Sequence, residues 1–148
     1  MPLNAHATFG SISVTSSTVT INTNYVGVPI LLNRAAGITA TLPAASGSGN
    51  EYRFIVGTTV TSNSDIIKVA NATDVMCGYA LLGQDAADTS VFFEVGATDD
   101  TITLNGSTTG GLRGMRVTCT DIASGLWAVE VRGAATGTEA TPFSATVA

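Results

Sequence analysis

The sequence predicts an all-β fold: a single-domain sandwich or barrel of short antiparallel strands with extended N- and C-terminal arms. Three observations predict it. The 148 residues contain 23 Thr, 12 Ser and 16 Gly, and only 11% are charged, against the usual ~25%. Thr, Val, Ile and Gly make a strand-and-turn composition. Apolar and polar residues alternate in short runs, and Gly, Asn, Asp, Ser and Pro punctuate those runs at intervals of about 8–12 residues, the pattern of a sandwich or barrel. Finally, no longer stretch carries a convincing 3.6-residue period, and no internal repeat stands out at fixed spacing.

The elements follow in order. Val14 and Thr18-Val19-Thr20-Ile21 open the alternation. Val28 to Asn33 is an apolar run containing Pro29; proline cannot donate to a ladder, so it marks a strand start or an edge. Ile38 to Leu42 alternates and stops at Pro43, and Ala44 to Asn50 is a loop of small residues. Tyr52, Phe54 and Val56 then face one way, and Glu51, Arg53 and Ile55 the other. Thr58 to Asn63 reads as a strand and turn, Asp65 to Val69 as a strand, and Ala70 to Cys77 as the one place for a helical turn. Strands follow at Tyr79–Leu82, Ser90–Val95 and Thr101–Leu104, with a turn at Asn105-Gly106. Arg116–Thr120 alternates, and after Ser124-Gly125 the residues Trp127, Val129 and Val131 share a face. The expected core is Tyr52, Phe54, Val56, Phe93, Val117, Trp127, Val129 and Val131.

The organisation expected is an N-terminal, partner-contacting arm over residues 1–24, a β-sandwich or barrel over 25–132, and a C-terminal extension over 133–148. The outer segments carry few large apolar side chains, and such tails order mainly against something else.

Composition also excludes functions. Positive mean hydropathy with low charge argues against disorder. Six scattered cations against eleven acids argue against nucleic-acid binding, which needs clustered Lys and Arg. The start, MPLNAHATFG, has no basic and apolar leader pattern, and no apolar run reaches the ~20 residues of a membrane helix.

A catalytic reading finds no support. The one histidine, His6, lies in the N-terminal segment, so a nucleophile would have to recruit a tail residue as its base. Two cysteines, Cys77 and Cys119, one histidine and no CxxC do not make a zinc site. The two cysteines sit on different expected strands, which leaves both paired and free thiols open. Asp99-Asp100 and the pair Asp85 and Asp88 lack the alternate spacing of a calcium loop and read as turn caps. Gly47-Ser48-Gly49 lacks the Lys-Ser/Thr of a phosphate loop. Asn71-Ala72-Thr73 and Asn105-Gly106-Ser107 match the glycosylation sequon but read as turns. No catalytic residue, cofactor or metal is expected. A charge-poor surface rich in Thr, Ala and Gly suits contact with protein.

The stretch ILLNRAAGITATLPAASGSGNEYRFIVGTTVTSNSDIIKVANATDVMCG, residues 30–78, resembles a segment of small structural proteins of tailed bacteriophages. TITLNGSTTGG, SGLWAVEVRG and ATGTEATPFSAT continue the resemblance through most of the chain from about residue 28. The family it resembles is the head decoration, or capsid cement, proteins; similar motifs occur in tail-fibre and tail-spike modules. The resemblance implies a non-enzymatic viral structural protein, often a homotrimer, made in the host cytoplasm and located on the outer surface of the virion capsid. Its implied partners are the major capsid protein and further copies of itself, with neither nucleic acid nor membrane. A tail-fibre or receptor-binding module is the alternative, and a small hydrolase or sugar-binding domain a third class.

Overall fold

Twelve strands in two sheets carry the chain in a computed structural model that describes residues 10–148. The first half winds from sheet to sheet. Strands β1 (Ile12–Val14), β3 (Pro29–Leu32) and β5 (Glu51–Val56) lie side by side and parallel in one sheet. Strands β2 (Thr18–Thr20), β4 (Thr39–Thr41) and β6 (Asp65–Lys68) do the same in the other. The second half adds β7 (Val75–Gly83), β8 (Ser90–Glu94), β9 (Thr101–Leu104), β10 (Arg116–Ala123), β11 (Leu126–Ala134) and β12 (Phe143–Ser144). The seven-stranded sheet runs β1-β3-β5-β10-β11-β7-β8, and the five-stranded sheet β12-β9-β6-β4-β2.

The all-β sandwich expectation holds. Its antiparallel part does not: half of the ten strand pairings are parallel. A chain that crosses to the opposite sheet after each strand returns in the direction it left, so neighbours along the winding run parallel.

The core lies between the sheets and follows the alternation. Tyr52, Phe54 and Val56 are buried on β5, and Trp127, Val129 and Val131 on β11. Ile67, Ile102 and Leu104 meet them from the second sheet. Pro29 opens β3, where its missing N–H is tolerated. Phe93 is only half-buried, because β8 is a sheet edge. Thr58–Asn63 forms no strand, and Ala70–Cys77 no helical turn; among the described residues the one helical turn, a 3₁₀ turn, is Thr23–Tyr25, capped by Asn22.

The arm boundaries are also corrected. Within residues 10–24, β1 and β2 are built into the two sheets, and Val14 and Ile21 are buried. Four apolar residues, Ile12, Val14, Val19 and Ile21, suffice because two short strands need only one inward side chain or so each. Residues 1–9, with His6, lie outside the described residues. The C-terminal extension belongs to the domain too: Ala135 and Phe143 are buried, and β12 pairs with β9. Cys77 and Cys119 are both free. Strand β11 separates them, with Cys77 beside the outward Ala128 and Cys119 beside the inward Val129, so they face opposite sides of the sheet.

Two predictions follow from the core. Trp127→Ala removes the largest fully buried side chain and is expected to lower stability by about 3–5 kcal/mol in urea melts. The second concerns Asp65, fully buried at the start of β6. Its Oδ1 accepts the Ile38 N–H at 2.9 Å, while Oδ2 has no partner. Burial pushes this carboxyl up to about 7. The folded state therefore favours the protonated form, so the contribution is complete below the ordinary carboxylate range and is lost as pH rises towards 7. A shift of this size corresponds to about 4 kcal/mol. Stability measured by denaturant melts should fall between about pH 4 and pH 7 in the native chain, and Asp65→Asn should flatten that slope.

Candidate functional site

The residues with chemical potential are dispersed. Among the described residues no three His, Cys, Asp or Glu side chains group as metal ligands. Asp99 accepts the Gly96 N–H at 2.8 Å. Asp100 accepts from Thr146 and Val147 and from the Thr101 hydroxyl, holding the C-terminal segment. Asp85 and Asp88 lie in or beside the β7–β8 turn, with Asp88 at a positive φ. The sequon asparagines are turn caps: Asn71 Oδ1 accepts from Thr73 and Asp74, and Asn105 Oδ1 from Ser107 and Thr109. Asp in a turn serves its own neighbourhood, as short polar side chains do.

The loop Gly47-Ser48-Gly49 does hold an anion, and the anion is the protein's own. The Asp121 carboxylate, at the end of β10, accepts the N–H groups of Ser46, Gly47 and Ser48 at 3.1, 2.7 and 3.1 Å, and the Ser48 hydroxyl at 2.7 Å. Gly47 has φ +80°, the left-handed conformation that aims successive amides at one point. Burial acts to raise the Asp121 carboxyl, but the Ser48 hydroxyl and the three amides outweigh it and hold the group below the ordinary carboxylate range. A register shift interrupts the ladder between Asp121 and Ala123, which pairs with Leu126.

Beside this cradle lies a cavity of about 390 Å³, lined among others by Asn22, Ser46, Asn50, Tyr52, Asp121 and Trp127. The Tyr52 and Trp127 rings are 5.9 Å apart, tilted at 51°. Burial raises the Tyr52 hydroxyl against a hydrogen bond from the Asn50 side chain, which lowers it. The Trp127 indole Nε1 is buried without a hydrogen-bond partner.

The second feature is the outer face of the seven-stranded sheet at β7 and β8. Phe92 is 60% exposed, its ring stacked on Tyr79 at 5.4 Å. Leu81 pairs with Phe92 across the ladder and is also exposed. Arg132 lies over the Tyr79 ring and bonds its hydroxyl at 2.5 Å, and pairs with Glu130. The hydrogen bond that it donates to the Tyr79 hydroxyl, with Glu130 close by, raises the Arg132 guanidinium.

Comparison with known proteins gives no match: no family model, no curated protein and no solved structure is significantly similar to this chain.

Sequence reasoning placed Trp127 in the core and stopped there. The signal for more was its chemistry: the only indole in the chain, with a donor that a hydrophobic core cannot satisfy. Asp121 carried no motif, since the loop it serves is some seventy residues earlier in the chain. Replacing Asp121 by Asn leaves the shape but removes the charge and turns part of the acceptor into a donor. The expected result is a loss of about 1–3 kcal/mol and faster amide hydrogen exchange at Ser46, Gly47 and Ser48 than elsewhere in the core.

Proposed function

We propose that this chain is a capsid decoration protein: it binds the outside of an expanded phage head as a homotrimer and clamps the shell against internal pressure. The observation that carries this reading is the apolar cluster Phe92, Leu81 and Tyr79 on an otherwise polar outer face, rimmed by Glu94, Glu130 and Arg132. Contiguous exposed apolar surface with a polar rim marks a site for protein contact. The resemblance of residues 30–78 to phage structural proteins supports the same reading and names the partner, the major capsid protein. The work is binding free energy. A protein that binds only the expanded shell stabilises that state by its binding free energy, and many copies on a symmetric lattice add their contributions.

The test is reconstitution. Added to expanded heads that lack it, the protein should bind and raise the temperature of DNA release, and it should bind procapsids poorly. Phe92→Ser should leave the isolated domain folded, since the ring is 60% exposed. It should reduce head occupancy or trimer formation by about 10–100-fold, the equivalent of burying one aromatic side chain. Equal DNA-release temperatures with and without full occupancy would remove the cement role and favour the tail-fibre module.

A further inference from the structure

We propose that the free edge of β8 accepts a short, basic, extended segment of another protein as a further strand of the seven-stranded sheet. The inference rests on the reading of the Phe92 face as a protein-docking surface, and adds how the partner is held and what chemistry it carries.

The backbone of β8 is half used. The strand ends its sheet and pairs antiparallel with β7 alone. Just beyond the two ends of that ladder, the Gln84 N–H donates to the Thr89 carbonyl at 2.9 Å and the Val95 N–H to the Gly78 carbonyl at 3.1 Å. Opposed residues in an antiparallel ladder alternate between pairs that exchange both bonds and pairs that exchange none. Counting inward from either end, Val91 and Phe93 bond to β7, and the N–H and C=O groups of Ser90, Phe92 and Glu94 point away from it. No turn or loop hydrogen bond among the described residues reaches the backbone of those three. The other edge strands are short: β1 and β2 have three residues each and β12 has two, against five in β8. Sheets protect a long edge with Lys, Pro or a bulge. β8 reads Ser-Val-Phe-Phe-Glu in unbroken register and has none of these.

The side chains select the occupant. Between Lys68 and Arg113 the chain has no cation. Exposed acids flank the edge: Asp85 and Asp88 in the turn before it, and Glu94 at its end. Arg132, the cation that reaches this side, is held by Glu130 and the Tyr79 hydroxyl. A strand laid along β8 therefore meets acid at both ends, with Phe92 60% exposed between them. On the outer face it suits Lys or Arg, whose apolar stems cover Phe92 while their heads reach the carboxylates. On the inner face it suits β-branched residues, which cover the half-buried Val91 and Phe93. Backbone bonds then supply affinity and the alternating side chains specificity, as when a peptide adds to a sheet edge. A second copy of β8 fits poorly. Antiparallel pairing centred on Phe92 sets Glu94 of one copy against Ser90 of the other, beside the acidic turn, and parallel pairing sets Glu94 against Glu94.

The experiment uses the full chain and three capped heptapeptides. The first alternates Lys and Val, the second alternates Glu and Val, and the third is the first with its backbone amides N-methylated. The Lys-Val peptide should bind with a Kd on the order of 0.1 mM, and more weakly at high salt. At saturation it should slow amide hydrogen exchange at Ser90, Phe92 and Glu94 by about tenfold. The other two peptides should not bind. Glu94→Lys, at an exposed position, should weaken Lys-Val binding about tenfold at unchanged melting temperature. Unaltered exchange at the three amides with the Lys-Val peptide would overturn the proposal. So would equal binding of the N-methylated peptide, which reduces the contact to adsorption of charge, or of the Glu-Val peptide, which removes the charge selection. Slow exchange at the same amides in the chain alone, growing with its concentration, would give the edge to a second copy and overturn it too. The cement reading fails separately: there Phe92→Ser leaves head occupancy unchanged, while the peptide results decide the edge.

Discussion

Four buried carboxylates hold the irregular parts of this structure in place. Asp65, Asp74, Asp100 and Asp121 are all nearly free of solvent exposure. Each accepts a backbone N–H from another segment: Ile38, Ala45, Thr146 with Val147, and Ser46 to Ser48 respectively. Short strands make many turns, and turn amides buried near a core must find acceptors. An aspartate supplies two acceptor oxygens on a short stem, and at Asp121, held below the ordinary carboxylate range, the bonds are charge-assisted and roughly twice as strong as neutral ones. Ion pairs play little part: the two among the described residues, Arg53–Glu51 and Arg132–Glu130, are both exposed. Exposed pairs contribute about 0–1 kcal/mol. Four of the eleven acids are therefore internal, and the surface is less acidic than the composition implies.

The same aspartates make the winding possible. β1 to β6 alternate between sheets, so each crossing is a connection at the sandwich rim rather than a tight hairpin. Asp65 fixes one crossing by holding Ile38, and Asp74 and Asp121 fix the next by holding Ala45 to Ser48. Gly106, at φ +85°, marks another close approach: a Cβ there would stand 2.0 Å from the Val60 carbonyl oxygen. The last segment follows the same rule, with Phe143 buried and Asp100 gripping Thr146 and Val147.

The strands were legible because burial on one face writes itself as alternation. Glu51 to Val56 and Trp127 to Arg132 could be assigned to faces residue by residue, and they lie as assigned. Pairing direction was not legible. Ile12, Ile30 and Phe54 stack in adjacent strands, but the connections between them differ in length, so the winding leaves no fixed period. The terminal segments were misread because sparse apolar residues look the same in an arm and in a two-residue or three-residue strand. The candidate site was least legible. Its cradle joins Asp121 to residues far earlier in the chain, and its Trp127 donor counts only once the absence of a partner is visible.

The cavity end is tied from several directions at once. Gly125 donates to Ala45, Gly49 to Asp121, and Asp121 to Asn50 through their backbones, while Val75 donates to Gly125. Ser46 and Ser124 form an isolated bridge across the same gap. These bonds fix the Ala44–Asn50 loop to the β10–β11 turn. The tied end keeps Tyr52 and Trp127 sealed at 1% exposure each, whereas Phe92 on the edge strand β8 stays 60% exposed.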